Sequence, residues 1–241
     1  MTSGKFRVDV DASALHALVR RRLPSPRLLC LWLLALCLPV SLWAQESSAV
    51  TFTLDFPGSE PSHYVISISS DGHSTYDSDG KLSPESDADP FHLDFSVSPE
   101  TSKTVFDLAK RAHYFQGQVD SNKRGLASTG SKTLTYKDAQ RSTTATYNYS
   151  PIAAVQQVTQ LFQNLSTTLE YGRRLQYFHR YQKLALDEEL KRMEEAANGN
   201  SLQELPAVVP ILQRIASDST VINPVRARAQ RMAKRAESAK P

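Results

Sequence analysis

The sequence predicts an α+β protein in which one antiparallel sheet of five or six strands packs on two helices and a helical extension follows at the C-terminus. Three observations carry this expectation. Between Thr51 and Tyr149 the chain repeatedly alternates apolar and polar residues, the period of a half-buried strand. Ser98-Pro99 and Ser150-Pro151 each open a stretch of helical spacing, a hydroxyl cap followed by proline in the first turn. From Val155 onward apolar residues recur three and four apart, the stripe of a helix that packs on one surface.

The elements follow in order. Thr51 to Phe56 alternates as a strand, and Tyr64 to Ile68 does so again before Asp71-Gly72, a strong hairpin signal with a return over His73 to Tyr76. Asp77 to Pro90 is a polar loop carrying five acidic residues. Phe91 to Val97 is another strand, and Val105, Phe106, Leu108, Ala109 and Ala112 make one apolar helical face after Ser98-Pro99. Thr133 to Tyr136 and Ser142 to Tyr149 form a second hairpin around Asp138-Ala139-Gln140. Val155, Val158, Phe162, Leu165, Leu169 and Gly172 then form a seam, and helical character continues through Leu186, Leu190 and Met193 to Ala197. A run of about 45 residues at ~1.5 Å each would reach about 68 Å, more than a domain of this size spans. Either Gly172 breaks it, or its second half projects and needs cover. Two helices on Leu205 to Ile215 and from Asn223-Pro224 to Ala236 supply that cover.

Composition bounds location and chemistry. Arg20, Arg21, Arg22 and Arg27 precede an apolar run from Leu28 to Leu38, then Pro39 and a small residue, Ala44, before Gln45. These are the parts of a secretory signal, and the run is too short for a spanning helix. Residues 1–44 are therefore expected to be a leader cleaved between Ala44 and Gln45, with an uncleaved anchor as the alternative. They hold six Lys/Arg and two Asp/Glu, so residues 45–241 carry 22 basic and 23 acidic side chains, a net of −1. The basic balance of the whole chain is no argument for nucleic acid. Both cysteines, Cys30 and Cys37, lie in the leader, which leaves the mature part without disulfides, thiolate nucleophiles or Cys-bound zinc. Leu36 is too large to precede a lipid-bearing Cys37. Residues 45–100 hold eleven acidic residues and one basic, against a basic remainder, which favours internal charge complementarity over an external partner.

Few motifs carry chemistry. Gly125 to Thr133 nearly spells a phosphate-binding loop, but Ser131 separates Gly130 from Lys132 and a strand follows. Asp71, Asp77, Asp79, Glu85, Asp87 and Asp89 offer oxygen ligands, yet the calcium-loop pattern around Asp77-Ser78-Asp79-Gly80 fails at Thr75 and Ser86. His63, His73, His92, His113 and His179 show neither HxH nor HxxxH spacing, and no GxSxG elbow occurs. No cofactor is expected. Arg226, Arg228, Arg231, Lys234 and Arg235 read as the wet side of the last helix. The richest aromatic-basic stretch is Tyr171, Arg173, Arg174, Tyr177 and Arg180, with Phe178 and Tyr181 beside them, and these are the candidate binding residues.

YVISISSDGHSTY followed by a strand, a helix and a second hairpin resembles uncharacterised exported bacterial α+β domains with a Tyr-x-Ile-x-Ile-x-x-Asp-Gly hairpin, over Thr51 to Leu169. Leu202 to Ala236, with Asp218 in its turn and Val225-Arg226 opening an alanine-rich helix, resembles a single HEAT-type helical hairpin. The resemblance implies an exported fold and brings no assigned activity. The expectation is a secreted or periplasmic, non-catalytic binding or assembly module whose partner is another envelope protein, with membrane contact only through the leader. Hydrolysis through paired carboxylates and a calcium-stabilised structural domain are the alternatives. The domain boundary is expected near 170/171.

Overall fold

The computed structural model describes residues 47–82 and 86–238. The leader, its Ala44-Gln45 junction and Glu85 of the acidic loop lie outside the described residues. Six strands form one open antiparallel sheet: β1 (Ala49–Asp55), β2 (His63–Ser69), β3 (His73–Ser78), β4 (Phe91–Ser96), β5 (Ser131–Lys137) and β6 (Ser142–Tyr147). Their order is β4-β3-β2-β1-β5-β6. The second hairpin therefore adds to the free side of β1, with Phe52 opposite both Ile66 and Leu134.

Alternation sets which face is covered. Val50, Phe52, Leu54, Tyr64, Ile66, Ile68, Tyr76, Leu134, Tyr136 and Tyr147 all point to one side and are buried. Against them lie α1 (Pro99–Arg111) and α2 (Ala153–Tyr181). The first contributes Val105, Leu108 and Ala109, the second Val155, Val158, Phe162, Leu165 and Leu169. Gly72 makes the β2–β3 turn possible: its φ is +87°, and its carbonyl accepts the Val97 N–H at 3.0 Å.

The helix starts differ in how closely they follow the Ser-Pro signal. Ser98 caps α1, its hydroxyl accepting the Thr101 N–H at 3.2 Å, with Pro99 at the first position. Ser150-Pro151 instead precedes α2 by two residues. Ile152 is the cap, and the Ser150 hydroxyl accepts the Ile152 N–H at 3.3 Å.

The expected 45-residue helix is two helices, and Gly172 is not the break. α2 runs through Gly172 and ends at Gln182 (φ −143°, ψ 59°). A 3-10 turn (Lys183–Ala185) leads into α3 (Leu186–Asn198). A second 3-10 turn (Leu205–Val208), α4 (Val209–Ser217) and α5 (Asn223–Ser238) complete the chain, the last two forming a helical hairpin. Leu175, Phe178, Leu190, Met193, Ile211, Leu212, Ile215, Val225, Ala229 and Met232 build a second apolar cluster under these helices. No described helix is long and apolar enough to cross a membrane.

Gly172 serves a close approach. A Cβ there would lie 2.6 Å from Val208 Cγ1, in the 3-10 turn that packs on α2. Gly172→Ala therefore should lower stability by about 1–2 kcal/mol, overpacking exceeding the ~1 kcal/mol gain in helix propensity. Val208→Ala in the same chain should recover part of the loss. Urea unfolding checks this, and a more stable G172A protein would contradict the packing.

Candidate functional site

The five residues singled out from the sequence lie along α2, but the structure divides them by depth. Arg173 is buried, 5% exposed. Its guanidinium lies 3.6 Å from Glu170 and 3.3 Å from Asp89, donates to the Asp89 carbonyl at 2.5 Å, and stands 4.9 Å from the Phe91 ring centre. Arg174 is half-buried, paired with the buried Glu189 at 2.6 Å and placed over the Tyr171 ring. Burial raises the Tyr171 hydroxyl pKa above its ordinary value. Arg173 is committed to the fold's own interior, while Tyr171 and Arg174 are partly covered and engaged with each other and with Glu189.

Tyr177 and Arg180 stand at the other end of the helix, nearer the surface. Tyr177 is half-buried and its ring packs 5.2 Å from Tyr181, while Arg180 is exposed and lies over the Tyr181 ring. Here α2 breaks, and the segment after the break meets the α4–α5 turn. Asp218 in that turn binds His179 at 2.9 Å and Lys183 at 2.7 Å, and Lys183 also reaches the Thr220 hydroxyl. Three of the large apolar side chains left in solvent sit here, Tyr181 at the end of α2 (62% exposure), Leu184 after the break (93%) and Ile222 in the turn (60%). A corner with Tyr177, Arg180, Tyr181, Leu184 and Ile222 combines rigid rings, a cation and exposed aliphatic groups, the chemistry enriched in protein interfaces.

The hydrogen bond from Lys183, then those from Thr220, hold the Asp218 carboxyl well below the usual carboxylate range. A depressed folded-state pKa contributes stability above the unfolded value of ~3.9 and loses it as pH falls towards the folded value. Asp218→Asn should therefore be less stable than the parent at pH 7, and the difference should shrink below about pH 4. Urea midpoints across that range measure it. A gap that is constant with pH would contradict the assignment.

Elsewhere the structure uses charged groups internally. Arg228 pairs with Asp187 and, at 3.2 Å, with Glu194, which also takes Arg231 at 3.3 Å. Arg235 donates to the carbonyl of Ala197 and the side chain of Asn198. The basic side of α5 is thus met mainly by α3, not by the acidic first third of the chain. Asp89 on Arg173 is one exception. In the near-phosphate-loop run, the Lys132 ammonium turns into its own loop, donating to the carbonyls of Thr129 at 2.9 Å and Asn148 at 3.0 Å. Burial lowers its pKa. Of the acidic loop, Asp77 pairs with His92 at 2.6 Å, and Asp79 accepts from Ser62 at 3.0 Å and the His63 N–H at 2.9 Å. Among the described residues no group of three His, Cys, Asp or Glu could hold a metal ion.

Two arrangements were missed from the sequence. On the sheet's open face, register brings His63 to Asp55 at 2.6 Å and sets Asp94 between His92 at 3.5 Å and His73 at 4.0 Å. Only the strand register could have revealed them, because the spacing along the chain is irregular. The Glu170–Arg173 pair, three residues apart on the seam side of α2, carried a visible signal in that spacing.

A groove of about 840 Å³ runs between the start of α1 and residues 202–206, with Val97, Leu161, Leu202 and Leu205 in its walls. Its floor is tied by Glu204, which accepts from the Ser98 hydroxyl at 2.7 Å. No protein-family model, curated protein or solved structure matches the chain.

Proposed function

We propose that this chain is an exported, non-catalytic binding or assembly module of the bacterial cell envelope, and that it docks another envelope protein through the corner where α2 ends. The observation that carries the reading is the exposure of Tyr181 and Leu184 beside Tyr177 and Arg180 where α2 ends, and of Ile222 in the turn that Asp218 and Thr220 tie to that end. Exposed apolar side chains clustered on a braced corner mark an interaction site more often than scattered ones do. The bracing by Asp218 holds the corner in shape, so little ordering entropy is lost on docking. Export is supported by the basic flank, apolar run and small-residue exit of residues 20–45.

A photo-crosslinking side chain at position 181 or 184, introduced in intact cells, is expected to give one discrete adduct with an envelope protein. Tyr177→Ala with Arg180→Ala should abolish that adduct while the chain stays folded, with a modest loss in the unfolding midpoint because Tyr177 packs against the second apolar cluster. A ladder of unrelated adducts, or one unaffected by the double substitution, would overturn the proposal.

A further inference from the structure

We infer that the outer edge of β4 is a self-association surface, where a second copy of this chain adds its own β4 antiparallel and continues the sheet across a two-fold axis at Leu93.

β4 ends the sheet, and its apolar side is incompletely covered. Phe91, Leu93 and Phe95 point to the helix-covered face, yet all three stay half-buried, whereas the side chains of β1, β2 and β3 on that face are closed. The Val97 N–H donates to the Gly72 carbonyl at 3.0 Å, and the ladder bonds of an antiparallel pair fall on alternate residues. Phe91, Leu93 and Phe95 therefore bond to β3, while His92, Asp94 and Ser96 turn their N–H and C=O groups away from the sheet. No backbone group among the described residues bonds to those outward groups. Such a row is a template for another strand.

Charge along the edge says which strand fits. His92 and Asp94 stand two residues apart on the open face, 57% and 65% exposed. A two-fold axis at Leu93 sets His92 of one protomer opposite Asp94 of its partner, and does so twice. Both of these pairs carry outward backbone groups, so they meet as hydrogen-bonded pairs. On the other face Phe91 lies opposite Phe95 of the partner, and the two Leu93 side chains meet at the axis. Sign alternates along the row, because Asp77 already holds His92 at 2.6 Å on its inner side. Sliding the partner by two residues one way puts His92 against His92, and the other way Asp94 against Asp94. Like charges directly opposite disfavour both. Pro90, with no N–H, meets Ser96 of the partner and ends the ladder. The contact shares no residue with the corner where α2 ends, so the two proposals stand or fall separately.

Sedimentation of the protein as purified from cells should show a dimer whose share rises with concentration. Asp94→Lys, where the present ion pairs are exposed and weak, should leave the chain folded and weaken the dimer at least about tenfold, since symmetry counts each loss twice. Cysteine trapping reads the register. Paired Cα atoms at the axis stand ~4.5 Å apart, within reach of a disulfide. Leu93→Cys should therefore give a linked dimer on mild oxidation, beyond any seen in the parent. Phe95→Cys alone should not, but should link when mixed with Phe91→Cys. A monomer at every concentration, a dimer untouched by D94K, or equal linkage in L93C and F95C would overturn the inference. So would capture of a different protein by L93C, which would give the edge another occupant.

Discussion

Arg173→Ala is expected to cost about 3–5 kcal/mol of folding stability, the usual consequence of removing one member of a buried ion pair. The side chain is 4% exposed, and its loss strands the equally buried Glu170 carboxylate with two hydroxyls as its only donors. It also frees the carbonyl of Asp89, which fastens the end of the acidic loop to α2. For a chain of this size the loss corresponds to a drop in Tm of about 10 °C. Lysine should not restore it, because a single ammonium cannot reach Glu170 and Asp89 together as the planar fork does. Asp89→Asn should cost under about 1 kcal/mol, since that carboxylate is 59% exposed and its pair is screened. Chemical denaturation of the three variants checks the set. An R173A protein as stable as the parent would show that the arginine is not buried in solution.

Phe162→Ala should cost a comparable 3–5 kcal/mol through the cavity left behind. Phe162 is fully buried on α2, and its ring stacks on Phe52 of the central strand, 5.3 Å between centres and 9° from parallel. It joins helix to sheet at the middle of the first apolar cluster, where neighbouring side chains on both layers are held by the backbone and cannot collapse far. Leu190→Ala, in the second cluster, should cost about 2–5 kcal/mol, and the two losses should add because the sites share no neighbour. Differential scanning calorimetry of the single and double variants measures this. A loss below about 1 kcal/mol at Phe162 would contradict the packing of α2 on the sheet.

The strands were legible because burial on one face imposes a period of two, and each alternating run became a strand within two or three residues of its expected ends. Their order was not. That β5 pairs with β1 is a choice between distant edges, decided by packing over the whole sheet. The His–Asp pairs on the open face depend on that register and were hidden with it. The break at Gln182 carries no glycine or proline to announce it. Asp218, some forty residues later, draws in His179 and Lys183 from the two sides of the break, a tertiary cause with no local mark. Gly172 looked like a breaker and is instead a seat for Val208. The aromatic-basic stretch was found as a stretch, but which of its cations face water depends on partners such as Glu189 and Asp89 that no spacing rule connects to it.

The proposed role requires that the described body work outside the cytosol after losing its apolar leader. Mass spectrometry of the native protein from fractionated cells tests it most directly. The claim requires an N-terminal peptide beginning at Gln45 in the envelope or secreted fraction. Met1 retained on a soluble cytosolic protein would contradict the location and, with it, the envelope partner.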